Sequence, residues 1–188
     1  MMTDEKELVL RAQKDVAAFE AVYDRYFPEV FRFVMHRTGD RDITEEVVAN
    51  VFFKAMRKIG LFRWKSIPFS AWLYRIAANE IANHYRAEKR RRNLDRSLTV
   101  ESEVAPSTSE DPFSYEFIHT YLRQLPQADQ NLITLRYFEK KDYAELASIF
   151  GKRESTLRVN LHRALRKLEH LIPREELENV YQKVSGQD

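Results

Sequence analysis

The side chains best equipped for chemistry in this chain lie near its end, between Asp142 and Ala164. Leu157, Leu161, Ala164, Leu165, Leu168 and Leu171 recur at helical spacing and turn inward, which leaves Ser155, Arg158, Val159, His162, Arg163 and Arg166 on the outer face. The chemistry this offers is recognition of a polyanion. An arginine on such a face bridges a guanine edge or grips a phosphate. Ser155 and Thr156 fall in the first turn, where hydroxyls and free backbone N–H groups meet a phosphate. A short helix, a turn at Gly151 and this longer basic helix form the layout of a helix-turn-helix, whose second helix enters a DNA major groove. A solvated basic face on an ordinary helical hairpin would carry similar charges. It would not explain why turn, inward stripe and outward cations coincide.

A second constellation lies far away in sequence. Phe62, Trp64, Trp72, Tyr74 and Tyr85 are interleaved with Arg63, Lys65, Arg75, Arg86, Lys89 and Arg90, and Asn79 and Asn83 fall between them. Aromatic rings beside cations suit a single strand, because bases stack on the rings while cations hold the backbone. The asparagines can hydrogen-bond the exposed edge of an unpaired base. Trp72 and Tyr74 fit a core role equally well, as aromatics on helices usually do. Enzymatic patterns are missing: the histidines are scattered, with no His-Glu-x-x-His, no phosphate-binding glycine loop and no Ser/His/Asp grouping. No metal or cofactor is expected.

The elements that must position these residues are helical. With 4 glycines and 6 prolines in 188 residues, long helices form easily and a turn-rich β fold does not. Apolar residues at 19, 22, 23, 26, 30, 33 and 34 mark one helix, broken at Gly39-Asp40. Val47, Val48, Val51, Phe52, Ala55 and Ile59 mark the next, which ends at Gly60. The segment 61–68 has no helical period, and a third helix begins near Phe69 and runs into Arg90-Arg91-Arg92. Residues 94–112 are rich in Ser, Thr, Glu and Pro and read as a flexible acidic linker. Four further helical segments follow, ending at Pro173. The expected fold is therefore all-α, with two small helical domains (1–93 and 113–173) joined by that linker, and a polar tail over 174–188.

The net charge of +2 conceals an uneven distribution, since basic residues crowd 86–92 and 152–167. The absence of cysteine excludes disulfides and thiolate metal sites. No apolar stretch approaches the roughly 20 residues that span a bilayer, and Met1 to Glu5 is no signal peptide, so a cytoplasmic protein is expected.

These residues resemble a family. Phe69-Ser70-Ala71-Trp72-Leu73-Tyr74-Arg75-Ile76-Ala77-Ala78-Asn79, followed by His84-Tyr85-Arg86, is similar to the promoter-melting segment of bacterial extracytoplasmic-function (ECF) sigma factors. Leu125-Pro126, Leu135-Arg136-Tyr137, Tyr143-Ala144-Glu145-Leu146-Ala147 and Ser155-Thr156-Leu157-Arg158 resemble their −35-reading domain, and Ala18 to Tyr26 resembles the opening helix. The resemblance covers roughly residues 8–172, in the family's order.

It implies a protein that binds core RNA polymerase, locates a promoter and opens it. The loop 61–68 would take a flipped base of the non-template −10 strand, and the helix after it would hold the neighbouring strand. The implied −10 residues are Phe62, Arg63, Trp64, Lys65, Trp72, Arg75, Asn79, Asn83, Arg86, Lys89 and Arg90. The implied −35 residues are Arg136, Arg153, Glu154, Ser155, Thr156, Arg158, Val159, His162, Arg163 and Arg166. The helix holding Thr44 to Phe52 would dock on the polymerase through Glu45, Glu46, Val48, Asn50 and Phe52, and the acidic linker would follow the RNA exit path. An anti-sigma factor, gripping the inward faces of both domains, is a further implied partner, and through it the protein would be held at the membrane.

The chain departs from the family at Glu46, Ala49 and Asn50 in a segment usually nearer Ala-Glu-Asp-Leu-x-Gln-Glu, at Asn83 where aspartate is commoner, and at Arg153 where a capping serine is usual. Losing that cap costs about 1 kcal/mol. A helix-turn-helix regulator without sigma activity is the rival reading. It accounts for residues 113–172 but leaves the aromatic and basic N-terminal half idle.

Overall fold

A computed structural model of the chain describes residues 2–64, 67–95, 115–176 and 178. The described residues form eight α-helices and no strand. They are α1 (Met2–Lys14), α2 (Phe19–Thr38), α3 (Arg41–Lys58), α4 (Phe69–Asp95), α5 (Tyr115–Leu122), α6 (Gln127–Ile133), α7 (Tyr143–Phe150) and α8 (Glu154–Leu171). The all-α expectation holds. The acidic linker lies outside the described residues except for Leu94 and Asp95, which continue α4.

Local chemistry sets the helix ends. Gly39 closes α2 in the left-handed conformation (φ 66°), its N–H donating to Met35 O at 2.8 Å. The next residue, Asp40, opens α3 by accepting from Ile43 N at 2.9 Å. α7 begins with a capping box: Asp142 Oδ1 accepts from Glu145 N, and Glu145 Oε2 accepts from Asp142 N, both at 2.8 Å. Gly151 (φ 64°) closes α7. α8 follows Arg153, whose side chain makes no cap, as the departure there implies. Asp142→Ala is accordingly expected to lower stability by about 1 kcal/mol, read as a shifted denaturation midpoint with an unchanged denaturant slope.

α2, α3 and α4 pack around Val30, Phe33, Val51, Ala55, Phe69, Leu73 and Ala77, and α1 adds Val9 and Ala12. In the C-terminal half, α6, α7 and α8 bury Leu132, Leu146, Ile149, Leu157, Leu161 and Ala164. Each fully buried leucine stabilises the fold by about 1.5–3 kcal/mol. α6 does not stop at Ile133. It widens into a π-helical turn over Thr134–Phe138, where Glu139 N donates to Thr134 O at 3.1 Å, and Lys140 then takes φ 56°.

The two halves pack against each other through buried polar groups. Arg37 is 2% exposed; its Nε donates to Asn131 Oδ1 at 2.7 Å and its Nη1 to Gln130 Oε1. Glu139, 7% exposed, accepts from Arg32 Nε at 3.0 Å and lies 2.9 Å from His36 Nδ1. Gly39 faces His119 so closely that a Cβ on it would stand 2.6 Å from the ring. Burial pushes His119 below the usual histidine range, and its Nε2 donates to the Arg37 carbonyl at 3.3 Å.

Candidate nucleic-acid interface

On α8 the expected outer face is the observed one. Arg153, Glu154, Ser155, Thr156, Arg158, His162, Arg163 and Arg166 are exposed, and Val159 is 50% exposed. Arg158 packs on a neighbouring ring: its guanidinium lies 3.9 Å from the Tyr143 ring centroid and 3.5 Å from Glu154. Arg136 approaches the same ring at 5.0 Å while donating to Lys141 O at 2.9 Å. Tyr143 thus orients two of the predicted arginines, one from the π-helical turn and one from the recognition helix.

The N-terminal constellation is sorted differently. Phe62 is not a surface residue. It is 6% exposed, with Trp64 and Phe69 edge-on at 5.2 Å and Trp72 at 5.4 Å. A segment without helical period thus buries its first aromatic, because the ring completes the core at the head of α4. Trp64 and Trp72 are half-buried on this cluster, and Trp64 Nε1 is buried without a hydrogen-bond partner among the described residues. Arg63 is exposed, and Lys65 lies outside the described residues.

From the cluster, Trp72, Arg75, Asn79, Asn83, Arg86 and Arg90 follow at intervals of three or four, one stripe of α4, with Lys89 beside it. Asn79, Asn83, Arg86, Lys89 and Arg90 are exposed. Asn83 is oriented between Glu80 Oε1, to which it donates at 3.1 Å, and Arg86 Nη2, from which it accepts at 2.9 Å. Arg75 turns instead to the C-terminal half, donating to Ser148 O at 2.6 Å and Ile149 O at 2.7 Å.

On α3, Glu45, Glu46 and Asn50 are exposed, whereas Val48 and Phe52 lie in the core. Neither can touch a partner without unpacking the helix. The apolar residue that does face outward is Phe53, 53% exposed, with the Arg57 guanidinium 5.7 Å from its ring. Val48 and Phe52 already stand on the apolar stripe that marks this helix, so periodicity leaves Phe53 outside; the docking set named Phe52 because it followed the resemblance and not the stripe. Sequence reasoning also missed Arg37, Gln130, Asn131 and Glu139, polar residues whose sequence carries no sign of burial.

Among the described residues, a helix with an exposed basic face on one half and a stripe of aromatics, cations and amides on the other form two separate surfaces of the kind that suit nucleic acid. The Sigma-70 region 2 family matches residues 22–91, and the Sigma-70, region 4 family matches residues 116–168. The ECF RNA polymerase sigma factor BldN of Streptomyces coelicolor is 31% identical over 89% of this chain, which spans 65% of BldN's length. The RNA polymerase sigma-H factor of Pseudomonas aeruginosa is 31% identical over 87% of this chain and 92% of its own. The sigma factor RpoE of Bartonella quintana, solved with the anti-sigma factor NepR, shares the fold with a TM-score of 0.61 at 22% identity, over 81% of this chain and 95% of that one. CnrH, solved with the cytosolic domain of CnrY, does so with a TM-score of 0.65 at 19% identity, over 89% and 96%. The chain belongs to the sigma-70 family, in its ECF group. It acts in promoter recognition and transcription initiation, with RNA polymerase and promoter DNA as its partners. No described helix is long and apolar enough to cross a membrane.

Proposed function

We propose that the two heads divide the promoter between them. α8 reads the −35 duplex through Ser155, Arg158, Val159, His162, Arg163 and Arg166, with Arg136 supporting it from below Tyr143. The head of α4 takes the unpaired −10 strand. Trp64 and Trp72 offer ring faces, Asn79 and Asn83 offer amides to base edges, and Arg63, Arg86, Lys89 and Arg90 hold phosphates. Unstacking a base costs a few kcal/mol, which these contacts offset. The exposed face of α3, formed by Glu45, Glu46, Asn50 and Phe53, docks on the core polymerase. An anti-sigma factor is proposed as a further partner, in keeping with the company in which folds of this kind have been solved.

The observation that carries this reading is the contrast between the heads. One presents a helix of groove-sized width with exposed arginines, and the other presents half-buried aromatics beside exposed cations and amides. Run-off transcription from a genomic fragment pool, with purified core polymerase and with or without this protein, tests it. Discrete new start sites support the reading; binding to duplex DNA alone with no new starts favours the helix-turn-helix regulator. At the sites found, Arg158→Ala should weaken −35 binding by about 1–3 kcal/mol without abolishing polymerase docking. Trp64→Ala should spare duplex binding and impair opening by a comparable amount, about 1–3 kcal/mol per lost base stack. Equal loss of both steps in either variant counts against the division.

A further inference from the structure

The loop assigned above to the unpaired strand leaves α3 through a tight turn, Ile59–Leu61, and something must fix its direction of exit. The turn's own bond is Phe62 N to Ile59 O at 3.0 Å. A further restraint comes from α1, which lies outside the residues 22–91 matched by region 2. Gln13, in its last turn and half-buried, donates from Nε2 to Ile59 O at 2.8 Å and to Phe62 O at 2.9 Å. Both N–H groups of one amide are therefore spent on the two ends of a single turn. Ile59 O thus accepts the Gln13 amide beside the turn's own Phe62 N–H, and a side chain from a distant element ties the turn to the extended residue that follows it.

The consequence passes to the aromatic cluster. Phe62 is extended (φ −63°, ψ 132°), which sends its ring into the core against Trp64, Phe69 and Trp72. Arg63 wraps the other side of the turn, its Nη1 donating to Gly60 O at 2.7 Å and to Phe62 O at 3.2 Å. α1 is itself held by its buried Val9 and Ala12, and by Tyr26 Oη donating to Glu5 Oε1 at 2.7 Å. A rigid chain of contacts thus runs from α1 through Gln13 to the rings that would receive a base.

We infer that Gln13 is a positioning residue for the −10 loop: it touches no DNA and sets the register in which Trp64 is presented. The inference rests on the assignment of that loop to the unpaired strand. The test uses the full chain with core polymerase on promoters that the wild-type protein selects. Gln13→Met keeps length and volume and removes both donors; Gln13→Glu keeps length and turns acceptors onto two carbonyls. The readouts are permanganate reactivity of −10 thymines, base preference across a randomised −10 element, −35 duplex binding, core polymerase affinity and the melting midpoint. The expected result is about tenfold less thymine reactivity and a flattened −10 preference in both variants, more severe in Gln13→Glu, with −35 binding and core affinity within about twofold of wild type. Wild-type opening and preference in both variants would overturn the inference. So would a parallel decline of opening, −35 binding and core affinity with the melting midpoint, which marks a merely structural glutamine. A wild-type protein that selects no start sites removes the sigma-like division of labour itself, and this inference with it.

Discussion

Arg37→Ala is expected to release the two halves of the molecule from each other while leaving each folded, at a cost of about 3 kcal/mol. The guanidinium is enclosed between α2 and α6, where it donates to Asn131 and Gln130. Truncation leaves two amide oxygens in a buried place with a donor gone, and opens a cavity too large for the neighbours to fill. Water re-solvates those groups most easily if α6 moves away, so separation is the cheaper response than unfolding either half. Small-angle scattering should show a larger radius of gyration, and limited proteolysis should cut faster between residues 95 and 115, while far-ultraviolet circular dichroism keeps its helical signal. Arg37→Lys should fall between, because a point charge cannot bridge both amides in one plane. An unchanged radius for Arg37→Ala would mean that the other contacts, among them Glu139 with Arg32 and His36 and Arg75 with the end of α7, hold the halves together without it.

Gly39→Ala probes the same junction from the backbone and is expected to cost about 2–4 kcal/mol, as the sum of two effects. Alanine in the left-handed region at φ 66° is strained on its own account. The new methyl would also stand 2.6 Å from His119 Cε1, a distance that forces the imidazole out of its place under the Arg37 carbonyl. The two effects separate in a double-mutant cycle. In a His119→Ala background the steric part disappears and only the backbone part remains, so Gly39→Ala should there cost about 1–2 kcal/mol. Denaturant unfolding of the four proteins measures this. Additive costs would show that Gly39 and His119 do not meet in solution.

Much of the fold was legible because it is written in local periods. The inward stripe of α8, the Gly39-Asp40 break and the turn at Gly151 follow from helical spacing and capping chemistry, and each is where those rules put it. α1 escaped notice because it buries little beyond Val9 and Ala12, too few positions to show a period in a run of charged residues. The π-helical turn at Thr134–Phe138 has no local signature either; nothing in Thr-Leu-Arg-Tyr-Phe distinguishes it from an ordinary helical turn. Of the candidate sites, the outer face of α8 was readable, since exposure there is the complement of a clear apolar stripe. Phe62 was not, because an aromatic in a segment without period looks the same whether it faces a ligand or the core; for Val48 and Phe52 the apolar stripe of α3 pointed to the core and only the resemblance made them docking residues. The junction between the halves was the least legible of all. Arg37 and Glu139 have the composition of surface residues and are buried only because distant parts of the chain supply their partners.

Arg75 lies on the same stripe of α4 as the residues assigned to the promoter strand, yet its guanidinium is spent on Ser148 O and Ile149 O at the end of α7. With Nε and Nη2 given to those carbonyls, Nη1 alone is left for a phosphate, so the packed arrangement and a two-pronged grip on DNA by this arginine exclude each other. Linkage then makes the exclusion reciprocal: whatever factor by which closure weakens DNA binding is the factor by which DNA loosens closure. A tenfold effect in either direction corresponds to about 1.4 kcal/mol, within the range of a pair of charge-assisted hydrogen bonds. If the promoter strand engages Arg75 as the resemblance implies, DNA is a competitor of α7 for a single arginine, and the tightness of the resting molecule would set how much DNA is needed to open it.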